Sequence, residues 1–112
     1  MQELKQDWSS LNAELACWSG AEAKVMMLSS SHRQLRISLW RFGGMNQLDV
    51  CCADPIFFSG PMRWKIGKVY VTAVCDDGTA YLQLRDDSID LIAKCSYIFV
   101  ELKPAMHWQQ DS

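Results

Sequence analysis

Two stretches of the chain alternate apolar and polar residues, and each folds back on itself at a glycine-containing pair. A two-residue turn at Asp77-Gly78 supplies the positive φ angles of a type I′ hairpin. It predicts the pairs Cys75/Ala80, Val74/Tyr81, Ala73/Leu82, Thr72/Gln83, Val71/Leu84 and Tyr70/Arg85. Cys75, Ala80, Ala73, Leu82, Val71 and Leu84 then share one face. Tyr81, Thr72, Gln83, Tyr70 and Arg85 share the other, where Val74 is the one aliphatic residue. A turn at Gly43-Gly44 sorts the preceding stretch equally well. Leu39/Leu48, Ile37/Val50 and Leu35/Cys52 fall on one side, and Trp40/Gln47, Ser38/Asp49 and Arg36/Cys51 on the other. A slip of one residue would turn every side chain of a strand over, so the agreement fixes both registers. Each hairpin is expected to keep one wet face.

The remaining elements follow from spacing. Leu4, Trp8, Leu11, Leu15 and Trp18 form an apolar stripe at helical spacing and predict a helix over 2–18, with Gly20 at its end. Residues 23–28 read as a first strand, followed by the polar connection Ser29–Arg33. The Gly43-Gly44 hairpin takes 35–42 and 45–53, and Asp54-Pro55 is expected to break its ladder, because proline lacks a donor. Ile56–Phe58 is a short apolar segment, Ser59-Gly60-Pro61 a turn, and 68–76 with 79–86 the second hairpin. Beyond the polar step Asp86-Asp87-Ser88, the last strand changes phase. Leu91, Ala93 and Cys95 share one parity; Ile98, Val100 and Leu102 share the other. A bulge or corner near Cys95-Ser96-Tyr97 reconciles them. Pro104 ends the pattern and 105–112 reads as a tail. The fold class is therefore mainly β: an antiparallel sandwich or curled barrel-like sheet with one N-terminal helix. One domain spans 1–112, with its β core at 23–103.

The 112 residues are 49% hydrophobic and 21% charged, a globular balance. A net charge of −2 gives no electropositive field for nucleic acid. No apolar run reaches the roughly 18 residues of a membrane span. The charged start, MQELKQDW, is unlike a signal peptide, so the expected location is cytoplasmic. The five cysteines include no C-x-x-C pair, and adjacent Cys51 and Cys52 point opposite ways on a strand. Reduced structural thiols are expected, with no metal and no cofactor.

Three stretches carry a resemblance. Gly20-Ala21-Glu22-Ala23 leads to Ser31-His32-Arg33-Gln34-Leu35-Arg36-Ile37. Leu48-Asp49-Val50-Cys51-Cys52-Ala53-Asp54 leads to Ser59-Gly60-Pro61-Met62-Arg63-Trp64. An Asp86-centred polar step precedes an apolar strand through Cys95 to Glu101. Over residues 20–104 the chain resembles a family of small bacterial proteins without assigned activity, some encoded on mobile elements such as integron gene cassettes. The resemblance implies a compact β-rich fold and brings no catalytic residues.

Candidate chemistry is sparse. His32, in Ser-Ser-Ser-His-Arg, would need a nucleophile and an orienting carboxylate to act as a general base. The serines match no nucleophile elbow, so a self-bonded hydroxyl loop is the favoured reading. Asp86, Asp87 and Asp90 lack EF-hand spacing and read first as turn carboxylates. Asp86 and Asp90 remain the weak acid–base partners for His32. Trp64, held by Ser59-Gly60-Pro61, is expected to plug the core, with a ligand wall as the functional alternative. Trp40, Tyr70 and Tyr81 with Arg36 and Arg85 lie opposite the aliphatic faces, in the residue types favoured at interface centres.

Three functions are thus expected, in this order. The first is a non-catalytic binding or adaptor protein using an aromatic sheet face, as a homodimer or with a protein partner. The second is a small hydrolase-like enzyme or ligand binder built on His32. The third is a single-strand nucleic-acid binder, whose phosphate contacts would come from Arg63, Lys65 and Lys68.

Overall fold

The computed structural model describes residues 8–29 and 33–105. Residues 2–7 of the predicted helix, His32 and residues 106–112 of the tail lie outside the described residues. Among the described residues, one helix, α1 (Trp8–Ala16), precedes seven strands: β1 (Glu22–Ser29), β2 (Gln34–Trp40), β3 (Asn46–Ser59), β4 (Arg63–Lys65), β5 (Val69–Asp76), β6 (Thr79–Asp86) and β7 (Leu91–Pro104). They form one antiparallel sheet in the order β4-β1-β2-β3-β7-β6-β5, curled into a half-barrel.

Both hairpins take the predicted registers, with Leu39 opposite Leu48 and Ile37 opposite Val50 in one, and Val71 opposite Leu84 in the other. Asp77 and Gly78 both have positive φ, as the tight turn requires. The other reversal is wider than expected. The strands stop at Trp40 and resume at Asn46, the Gly44 N–H donates to the Arg41 carbonyl at 2.9 Å, and Gly43 alone has positive φ.

Asp54-Pro55 ends the ladder of the first hairpin as expected, at the Gln34–Ala53 pair, but the strand itself runs on past it. β3 continues to Ser59 with a register shift between Pro55 and Phe57. β2 accompanies β3 only as far as Ala53, so Pro55 sits where one side of β3 has no strand to receive a donor. Opposite this point, burial on β7 changes phase at Ser96-Tyr97, as its sequence predicted. The two long strands turn a corner together, and each serves two parts of the sheet.

The inner face of the sheet is the core. Leu35, Ile37, Leu39, Leu48, Val50 and Cys52 meet Leu82, Leu84, Leu91, Ala93, Cys95 and Ile98. Full burial of each larger aliphatic side chain contributes about 1.5–3 kcal/mol. Leu15 and Trp18 lay the helical stripe onto the same core. α1 packs on β5, where the Asn12 side chain imitates a neighbouring strand. Its Oδ1 accepts the Val71 N–H at 2.7 Å, and its Nδ2 donates to the Val71 carbonyl at 3.0 Å. Arg41 donates to the carbonyls of Cys17 and Ser19 after the helix, at 2.7 and 3.1 Å. The β5–β6 tip reaches beyond the core, so Cys75, expected to be buried, is exposed.

Candidate functional site

The outer face of the first hairpin is closed rather than wet. Trp40, Ser38, Gln47, Asp49 and Cys51 are all buried there. Long side chains from β4 and β7 fold over them. The Arg63 guanidinium lies 5.4 Å from the Trp40 ring, and Lys103 Nζ lies 3.1 Å from Asp49 Oδ2. Asp49 Oδ1 accepts from Ser38 Oγ at 2.7 Å and from Gln47 Nε2 at 2.8 Å. Burial pushes the Asp49 carboxyl up. These bonds and the Lys103 charge outweigh it and hold the group below its ordinary value. Trp40 is therefore not an outward contact residue in the single chain, and Arg36 is only half-exposed above Cys51.

Tyr70 and Arg85 are brought together on the outer face of β5–β6, and Asp87 occupies both. Tyr70 Oη donates to Asp87 Oδ2 at 2.8 Å, and Arg85 Nε to Asp87 Oδ1 at 3.1 Å. That hydrogen bond raises the Tyr70 phenol above its usual range. Trp64 plugs the core, as its favoured reading had it. Gly60 before it has φ +149, and a Cβ there would come within 2.7 Å of Leu91 Cδ1.

Asp86 is a buried clamp. Its Oδ2 accepts the Gly67 N–H at 3.0 Å. Its Oδ1 accepts from the N–H groups of Lys68 and Ser88 and from Ser88 Oγ, at 3.3, 3.0 and 2.7 Å. These bonds tie the link between β4 and β5 to the turn after β6. Burial works to raise the Asp86 carboxyl, but the Ser88 hydroxyl and three backbone donors bring it below its ordinary value. A carboxylate so occupied has its capacity spent on structure. Asp90 is exposed in the following turn with φ +56. His32 lies outside the described residues, so no geometry joins it to either carboxylate. Arg63 and Lys65 lie on β4, separated from β7 by three strands in the sheet order, and Lys68 immediately precedes β5 at the opposite end of that order. Among the described residues, no group of three or more His, Cys, Asp or Glu side chains could hold a metal ion. No helix among them is long and apolar enough to cross a membrane.

The aromatic surface that does face outward lies at the corner of β3 and β7. Ile56, Phe57, Tyr97 and Phe99 are 60, 48, 44 and 41% exposed. The Tyr97 and Phe99 ring centroids are 6.1 Å apart. Lys94, paired with Phe57 across the strands, places Nζ 5.3 Å from the Phe57 ring and 5.6 Å from that of Tyr81. Beside this surface is an open depression of about 600 Å³ lined by Met27, Arg33, Gln34, Ala53 and Asp54. Ala53 pairs with both Gln34 and Tyr97, so depression and rings share a row. Arg33 and Asp54, both at φ +50, are joined by an Nε–Oδ1 contact of 2.6 Å and by the Asp54 N–H to the Arg33 carbonyl at 2.9 Å.

Of the aromatic residues expected on this face, Tyr81 belongs to the surface; Phe57, Tyr97 and Phe99 were missed. The signal was present for two of them. Once the phase change is placed at Ser96-Tyr97, Tyr97 and Phe99 take the parity opposite to Ile98 and Val100. Phe57 was hidden behind the expected break at Pro55.

Comparison of the chain with protein-family models, with curated proteins and with solved structures found no match.

Proposed function

We propose that this chain is a non-catalytic binding or adaptor protein that receives a protein partner on the outer corner of β3 and β7. One observation carries the reading. Four large apolar side chains stand open on two adjacent strands, although the same chain buries Trp40, Trp64 and the aliphatic residues of its core. A contiguous exposed apolar surface with a charged rim is the usual mark of an interaction site. Lys94 over two rings and the Arg33–Asp54 pair supply that rim. The five unpaired thiols support a reducing, cytoplasmic setting, and the bacterial origin implied by the family resemblance belongs to the same proposal.

The test uses Phe57→Ser with Tyr81→Ser, compared with the unaltered chain as immobilised bait for bacterial cytosolic extract. Both variants sit on the outer face, so the melting temperature should change little. Proteins retained by the unaltered chain should be lost from the double variant. Equal retention by a folded double variant would overturn the assignment of the surface.

A further inference from the structure

The second half of β7 is a sheet edge of a different kind from the others. β6 leaves β7 at Cys95, while β3 accompanies it to Pro104. Among the described residues, no strand pairs with the other side of Ile98–Lys103. Apart from the three-residue end of β6 at Thr79–Tyr81, the other edges each carry a feature that discourages pairing. β4 is only three residues long. β5 has Asn12 on the backbone groups of Val71. The free side of β3 holds Asp54 at φ +50 and Pro55. β1 is irregular between Val25 and Met27. Ile98–Lys103 has no proline and keeps an unbroken register with β3. Its one lysine, Lys103, folds back onto Asp49 and does not guard the edge.

We infer that this edge pairs with the same edge of a second copy, antiparallel about a two-fold axis at Val100. The side-chain pattern fits that occupant. Pairing at Val100 sets Ile98 against Leu102 of the second copy on the core side, and Val100 against itself. Leu102 is 58% exposed in the single chain although it shares the inward parity of Ile98 and Val100, and the second copy covers it. On the outer side, Phe99 meets Glu101 and Tyr97 meets Lys103, so no like charges stand directly opposite. The isologous contact continues the sheet across two chains and closes on itself, which limits it to a dimer.

Sedimentation across a concentration series tests this, because a contact of one strand length is at the small end of stable interfaces. The mass should rise from the 12.8 kDa chain toward twice that value. Phe99→Glu sets a carboxylate opposite Glu101 twice over, and Leu102→Glu removes the contact with Ile98 twice. Each should weaken association about tenfold or more. Phe57→Ser with Tyr81→Ser, which tests the corner surface, should leave the dimer intact, so the two proposals fail separately. Should either glutamate variant not fold, amide exchange of the unaltered chain decides the question. The amides of Ile98–Lys103 that point away from β3, every second one, should gain protection as concentration rises. A chain of single mass throughout, association indifferent to both folded variants, or protection independent of concentration would each overturn the inference.

Discussion

Replacing Asp86 with alanine removes four acceptor contacts from a fully buried position. The Gly67, Lys68 and Ser88 N–H groups and the Ser88 hydroxyl lose their common partner. Hydrogen bonds to a charged group contribute about 1.5–3 kcal/mol each when isolated. These four share one carboxylate, and water can reach some of the freed donors, so they do not add in full. About 3–5 kcal/mol is expected, against a total stability of about 5–15 kcal/mol for a domain of this kind. Thermal melting at neutral pH should fall by roughly 10–20 °C. The pH profile provides an independent check. A carboxyl held lower in the folded chain than its ordinary value of 3.8 stabilises the fold above that value, and the contribution disappears as pH falls through the folded value. Asp86→Asn should therefore lose stability at neutral pH and show a shallower acid limb. Asp49, also lowered, retains its own share of that limb. A melting change under about 3 °C for Asp86→Ala would refute the clamp and return Asp86 to the functional candidates.

Three further outcomes are expected. Asn12→Ala should cost about 1–2 kcal/mol and speed amide exchange at Val71 specifically, since both of its lost bonds go to that residue; unchanged exchange at Val71 would contradict the strand-like role of Asn12. Gly60→Ala should destabilise by about 2 kcal/mol or more in urea unfolding, because φ +149 and the approach to Leu91 both oppose a Cβ. With a disulfide reagent, Cys17 and Cys75 should react rapidly in the folded chain. Cys51, Cys52 and Cys95 should react only on unfolding.

The registers of both hairpins were legible because each face of each strand carried a distinct residue class, and parity is a local property. The corner at Ser96-Tyr97 was legible for the same reason. What surrounds a face is not local. Ser38, Gln47 and Asp49 have the composition of a wet surface, yet Lys103 arrives from 54 residues further along the chain to complete their bonding. Pro55 looked like a strand breaker because its missing donor was counted without knowing that β2 ends at Ala53. Asp86 looked like a member of an acidic loop; only the return of Gly67 and Lys68 to its carboxylate makes it a clamp. The candidate surface was legible in kind, as outward aromatic residues with basic neighbours, and misplaced in position. The first hairpin's outer face is covered, and the open one lies at the corner.

Hydroxyl-radical footprinting of the side chains, read by mass spectrometry on the dilute chain and on the chain loaded with captured partner, addresses the proposed surface directly. Phe57, Tyr97 and Phe99 should label readily in the dilute chain and become protected on loading, while Trp40 and Trp64 stay unlabelled in both states. Labelling of Trp40 as fast as Tyr97, or corner residues that label identically with and without partner, would contradict the account.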